Sequence, residues 1–264
     1  MGTPLKNPPV YLTLAQVRFN PILKLAEFLP EIQESFRRAG FPDFETQRGI
    51  SIQVIVQDNK SGQQPIPQQV PQERFLIGNA ERTHSFILES NSLTVQSTDY
   101  GHFEAFSKCF NDGLAIVHKA VQLAYIERVG LRYLDRVMPQ AGETVDQYLA
   151  DNVQGLKSKL GGKSIYSFCE AMNVVDDISL ISRVAIQDGP LAFPPDLQLG
   201  KMAVADPFLN YVGPSAILDN DGFIEGREPF SDNKVVERLD AIHGVIGAAF
   251  KATVTPYAFT AWDK

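Results

Sequence analysis

The stretch YIERVGLRYLDRV, residues 125–137, decides how the chain folds. It alternates with a period of two, the period of a β-strand. Tyr125, Val129, Leu131, Tyr133 and Val137 fall on one face. Arg128, Arg132 and Arg136 fall on the other, with Gly130 between the first two. Residues four apart on one strand face are ~13 Å apart, so Arg128 and Arg132 leave a gap above Gly130 for a flat group. A glycine inside a strand often marks such a close approach. Guanidinium groups grip carboxylates and phosphates with two parallel hydrogen bonds. One reading is therefore an anion- or partner-binding site on the arginine face, with Arg128, Gly130, Arg132 and Arg136 there and the adjacent Tyr133 as its candidate residues. The other is cross-strand pairing with acidic residues of neighbouring strands, for which Glu89 and Asp99 are the candidates by position. Three arginines on one face are costly without partners of one kind or the other.

Working back from this strand, residues 100–122 form the longest helical pattern, with Phe103, Phe106, Phe110, Leu114, Val117 and Val121 on one stripe. Before it come strand patterns at 50–57, 74–80, 83–90 and 92–99, joined by short polar turns, which read as an antiparallel meander. Between the first two lies DNKSGQQPIPQQVPQE, 58–73, five glutamines and three prolines that read as a mobile loop. The chain opens with a strand at 10–19 and a helix at 24–39, the latter containing Pro30, where it starts or kinks.

Working forward, a helix is predicted over 144–156, strands over 164–175 and 178–187, and then a proline-rich passage from 188. Residues 215–226 read as a strand pair around an Asn220-Asp221-Gly222 turn. A second long helix covers 231–255, with Val235, Leu239, Ile242, Ile246 and Phe250 as its stripe. These elements predict an α+β protein: antiparallel sheets with long amphipathic helices packed on one face. Residues 1–140 and 141–264 form two halves of similar topology around one shared core. No matching residues recur at a fixed offset, so any duplication is one of topology alone.

Composition is that of a globular protein, with 44% hydrophobic and 21% charged residues in 264. The net charge of −7 gives no global footprint for nucleic acid. Cys109 and Cys169 are too few for a disulfide framework or a zinc set. His84, His102, His118 and His243 make no metal-ligand spacing, so no metal or cofactor is expected. The N-terminal stretch has no basic region leading into an apolar run, and Lys6 breaks the myristoylation motif. With no run of about 18 apolar residues, the expectation is a cytoplasmic protein away from membranes.

The chemical motifs fail on spacing. GLKSKLGGKS, 155–164, has Lys157 where a phosphate-binding loop needs its first glycine, and reads as a basic turn. No G-x-S-x-G elbow is present. A calcium loop starting at Asp219 would need a glycine and a glutamate where Ile224 and Phe230 stand. Trp262, the one tryptophan, lies in an aromatic tail and is a candidate partner anchor.

Leu5-Lys6-Asn7-Pro8-Pro9, the strand ending Arg18-Phe19-x-Pro21 and the run Arg128-Val129-Gly130-Leu131-Arg132-Tyr133 carry a resemblance, together with a histidine and a late phenylalanine in the C-terminal helix. Over most of its length the chain resembles a sporadically distributed bacterial protein family of about this length. No activity or catalytic residue comes with that resemblance. Patchy distribution implies mobile genes, such as defence or toxin–antitoxin-like loci. Three functions are expected from the sequence. The first is a non-enzymatic binding protein with a protein partner or a homo-oligomer. The second is a small-anion sensor using the arginine face. The third is an enzyme whose site is assembled from distant positions.

Overall fold

The computed structural model describes residues 5–55, 66–156, 160, 165–197 and 199–264, and side chains throughout these except at 50–55 and 66–72. In chain order the elements are β1 (Val10–Phe19), α1 (Leu25–Arg38), β2 (Asp43–Ile55), β3 (Ile66–Gly78), β4 (His84–Glu89), β5 (Ser92–Ser97) and α2 (Phe103–Val121). Then follow β6 (Tyr125–Val137), α3 (Val145–Tyr148), β7 (Tyr166–Val175), β8 (Ile178–Asp188) and α4 (Asp206–Asn210). The chain closes with β9 (Pro214–Pro229), α5 (Asp232–Thr253) and α6 (Pro256–Trp262). The protein is α+β, and its strands form one antiparallel sheet in the order β2-β3-β4-β5-β1-β6-β9-β8-β7.

One face of the sheet carries the main core. Val129, Leu131 and Tyr133 of β6 and Val17 and Phe19 of β1 meet Ile32 and Phe36 of α1, Phe106 and Phe110 of α2, and Leu239 and Ile242 of α5. A second cluster closes one end, where Val137, Leu218 and Val184 pack on Tyr148, Ala258 and Trp262. Trp262 is therefore buried against Tyr148, Phe250 and Phe259. This corrects its reading as a partner anchor: an amphipathic turn at the chain end folds back because its aromatic rings gain more from the core than from water.

The arginine face is covered differently. The proline-rich segment between β8 and α4 crosses it as a strap. Phe193 and Phe208 pack on Tyr11 at 5.6 and 5.9 Å, and the Tyr11 hydroxyl donates to the Ala192 carbonyl at 3.2 Å. Farther along, Thr98 Oγ1 donates to the Ala203 carbonyl at 2.5 Å and Lys201 pairs with Glu45 of β2 at 2.5 Å. The strap thus runs from the β8 end of the sheet to the β2 edge.

Several sequence expectations change here. Residues 215–226 are no hairpin: β9 runs unbroken through Asp219-Asn220-Asp221-Gly222, paired with β6 on one side and β8 on the other. The polar side chains that favour a turn find partners in the sheet instead. Asn220 Oδ1 accepts from Ser182 Oγ at 2.8 Å, and Gly222 is required because a Cβ there would lie 2.7 Å from Ile242 Cγ2. The expected loop at 58–73 is strand from Ile66 onward, with Pro67 and Pro71 facing Val54 and Ile50. Only β2 pairs with that part of β3, since β4 pairs from Phe75. A proline there removes no ladder hydrogen bond if its ring nitrogen points to the free side. The rest of that loop, and most of the basic turn at 155–164, lie outside the described residues. Tyr125 leaves the apolar face assigned to it, because the β6–β9 register shifts between Ile126 and Arg128. Ile126 takes the core position, and Tyr125 receives the Arg227 guanidinium at 4.2 Å.

The helix α2 sits close to β4 because residue 113 is glycine. A Cβ at Gly113 would meet Phe86 Cε1 at 2.3 Å, and Phe86 is itself backed by Phe36 and Phe41 at 4.8 and 5.0 Å. Gly113→Ala gains about 1 kcal/mol of helix propensity and loses about 1–3 kcal/mol to overpacking of a ring that cannot retreat. The expected result in urea denaturation is a net loss of stability, whereas Gly244→Ala, with open space around it, gains.

Candidate functional site

The arginine strand lies at the centre of the sheet, and each guanidinium finds its partners within the chain. Arg132 donates through Nε and Nη2 to the two oxygens of Asp219, both at 2.7 Å. Its Nη1 donates to Asp196 on the strap at 2.5 Å. Burial opposes the charged guanidinium, but the bonds to Asp219 and Asp196 outweigh it and raise the pKa. The same bond from Arg132 holds the Asp196 carboxyl below its ordinary value, against the effect of burial. Asp219 is shared with Arg183 of β8 at 3.2 Å, and Arg183 reaches Glu170 of β7 at 2.5 Å. The network therefore crosses four elements: β6, β9, β8 and β7, with the strap pinned on top.

Arg128 lies over Gly130, where a Cβ would stand 2.8 Å from Nη1. The gap foreseen above Gly130 is thus filled by the neighbouring guanidinium itself. Arg128 also donates to Gln16 Oε1 at 3.2 Å and stacks on Phe223 at 4.4 Å. Burial lowers its pKa, with Asp221 and Glu225 working the other way. Arg136 is fully buried. It donates to the carbonyls of Phe208 and of Gly189 (3.0 Å), and to Ser215 Oγ at 3.3 Å. Among the described residues its Nε has no partner, and burial lowers its pKa. Neither Glu89 nor Asp99, the acids expected to pair with these arginines, does so. Glu89 bonds Arg74 at 2.7 Å, because β5 and β1 stand between β4 and β6.

Tyr133 stands apart from the arginines, on the helix face. Its hydroxyl shares hydrogen bonds with Tyr100 (2.9 Å) and His243 Nδ1 (3.1 Å). His243 stacks flat on Phe103 at 4.0 Å, and burial lowers its pKa. It is thus held between α2 and β6. His118 caps the end of α2, its Nδ1 accepting from the Leu123 N–H at 3.1 Å. Two residues beyond Tyr133, on the same face, Asp135 is buried without a hydrogen bond or opposing charge among the described residues, and burial pushes its carboxyl up to about 7.

Asp196 divides two hollows on the arginine face. One, of ≈250 Å³, is lined by Gln16, Thr94, Arg128, Gly130 and Asp221. The other, of ≈410 Å³, lies between Arg132, Arg183, Phe193 and Pro194 on one side and Tyr166 and Phe168 of β7 on the other. The larger one opens onto the free edge of the sheet.

That edge is the feature the sequence left unremarked. Among the described residues, ten of the twelve exposed large hydrophobics fall between Leu156 and Val212, and Tyr166, Phe168, Met172 and Val174 of β7 are among them, each half or more exposed. These four share one face of β7, which among the described residues pairs only with β8. Sheet edges are normally guarded by lysine, proline, bulges or a covering element. β7 holds no lysine or proline, and its ten-residue register with β8 has no shift. Its one charge, Glu170, is neutralised by Arg183. The opposite edge strand, β2, carries Asp43, Glu45 and Arg48, with Glu45 and Arg48 in ion pairs. Alternation over 166–174 was legible in the sequence; that no described residue covers it was not.

No family model and no curated protein matches the chain. Among the described residues, no group of His, Cys, Asp and Glu is placed to hold a metal ion, and no helix is long and apolar enough to cross a membrane.

Proposed function

We propose that this chain is a non-enzymatic binding protein that takes a protein partner along the free edge of β7. The observation that carries this reading is the unguarded apolar edge itself. Among the described residues, ten consecutive backbone positions there have strand partners on one side only, and Tyr166, Phe168, Met172 and Val174 above them are apolar and exposed. Strand addition uses that combination: main-chain hydrogen bonds supply affinity and alternate side chains supply choice of partner. Of the two halves, 1–140 supplies six strands and 141–264 supplies β7, β8 and β9, so the interaction edge belongs to the second. The Arg132–Asp219–Arg183–Glu170 network ties this edge to the centre of the sheet. The reading of Arg128, Arg132 and Arg136 as an anion sensor requires an incoming anion to displace Asp196 from Arg132.

Native mass spectrometry of the protein purified gently from its own host tests the proposal. The expected result is the chain bound to protein, and Phe168→Lys abolishes the complex while leaving the melting temperature within a degree or two. Phe168 is half exposed and lies away from the main core. A monomer carrying a small extra mass, or a complex unaffected by Phe168→Lys, overturns it.

A further inference from the structure

The edge of β7 is self-complementary. Read outward from Glu170 in both directions, the residues match in kind. Cys169 and Ala171 are small. Phe168 and Met172 are large and apolar. Ser167 and Asn173 are polar. Tyr166 and Val174, then Ile165 and Val175, are apolar again. In an antiparallel pair related by a two-fold axis, residues equidistant from the axis face each other, and facing residues share a face of the sheet.

Resting on the reading of β7 as an interaction edge, we propose that its occupant is the β7 strand of a second copy of this chain, paired antiparallel about Glu170. The two nine-stranded sheets then join into one. On the exposed face Phe168 meets Met172 of the other copy twice, and Tyr166 meets Val174 twice. A thioether beside an aromatic ring is a favourable contact, and apolar side chains on both strands leave water together. On the opposite face Cys169 meets Ala171 and Ser167 meets Asn173, so polar and apolar residues never face each other. The Glu170 pair at the axis is the one like-charge contact, and each carboxylate already holds its own Arg183 at 2.5 Å. Neighbouring registers lose this match. Centring on Cys169 sets Phe168 against Glu170, and centring on Ala171 sets Glu170 against Met172 and Ser167 against Val175. The matched ladder spans eleven residues, about 36 Å of strand. No register shift, proline or lysine interrupts the pairing of β7 with β8.

Sedimentation of the full chain across the micromolar range, with cysteine cross-linking, tests both the partner and the register. The chain is expected to sediment as a dimer. Met172→Lys is expected to weaken the dimer at least tenfold with an unchanged circular dichroism spectrum, since Met172 is exposed. Glu170→Cys places two thiols across the axis at a Cα separation of about 4.5–5.5 Å, within disulfide range, so mild oxidation links the copies through residue 170. Native Cys169 remains unlinked, since it faces Ala171. A dimer linked through Cys169 instead overturns the register. A wild-type monomer whose Glu170→Cys variant stays unlinked overturns the second-copy proposal and leaves the edge free for a different protein, which native mass spectrometry from the host reveals. A dimer indifferent to Met172→Lys overturns this proposal and counts against β7 as the interaction edge.

Discussion

Arg132→Ala lowers the stability of the protein by roughly 3–5 kcal/mol. The guanidinium is almost fully buried and makes the bidentate bond that neutralises Asp219, whose side chain is only 4% exposed. Removing the arginine leaves that carboxylate in a low-dielectric site with Arg183, at 3.2 Å, as its one remaining cation among the described residues. It also releases Asp196, which holds the strap down on the sheet. Replacing both partners with apolar residues of similar size, as in Arg132→Met with Asp219→Leu, removes the orphaned charge together with the bond and costs much less than the single change. Urea denaturation of the two single variants and the double variant measures this directly. A single-variant loss below about 1 kcal/mol, the range of exposed ion pairs, would show that water reaches this network.

Stability is expected to fall as pH rises from about 4 to about 7, through Asp135. Its carboxyl has an ordinary value of 3.8 and is raised by burial to about 7. Below 3.8 the folded and unfolded chains both hold the proton, and the group has no differential effect. Between the two values the unfolded chain releases the proton and the folded chain keeps it, so the unfolded state gains. Above about 7 both are ionised and the loss levels off. At 1.36 kcal/mol per pKa unit the full loss is roughly 4 kcal/mol. His84 and His243 act in the opposite direction, because burial lowers their pKa values and the folded chain sheds their protons first. Asp135→Asn isolates the carboxyl. The difference in unfolding free energy between wild type and variant, followed from pH 4 to pH 8, is expected to grow in favour of the variant. A difference that stays flat across that range would place a proton donor or a cation against Asp135.

The periodicity of 125–137 was enough to place three arginines on one face of a strand and Val129, Leu131, Tyr133 and Val137 on the other. The stripes of 100–122 and 231–255 were enough to place two long helices on the apolar side. A period of two or of 3.6 is local information, carried by the geometry of a single element. It fails where the geometry is broken locally, as at the register shift beside Glu127 that moves Tyr125 off the core face. Local turn chemistry also fails where tertiary partners outbid it. Asp219-Asn220-Asp221-Gly222 has the composition of a turn, yet Arg132, Arg183 and Ser182 satisfy it as a central strand.

The anion for Arg132 comes from Asp196 and Asp219, 64 and 87 residues away, and no spacing rule reaches that far. The alternation of Tyr166, Phe168, Met172 and Val174 was equally plain in the sequence, and it says that these side chains share a face. It does not say what covers that face. Strand order decides that: β7 takes the end of the sheet, the strap crosses toward the other edge, and no described residue covers the apolar face of β7. Which residues point together is a property of the chain, whereas which faces are buried is a property of how the faces are stacked.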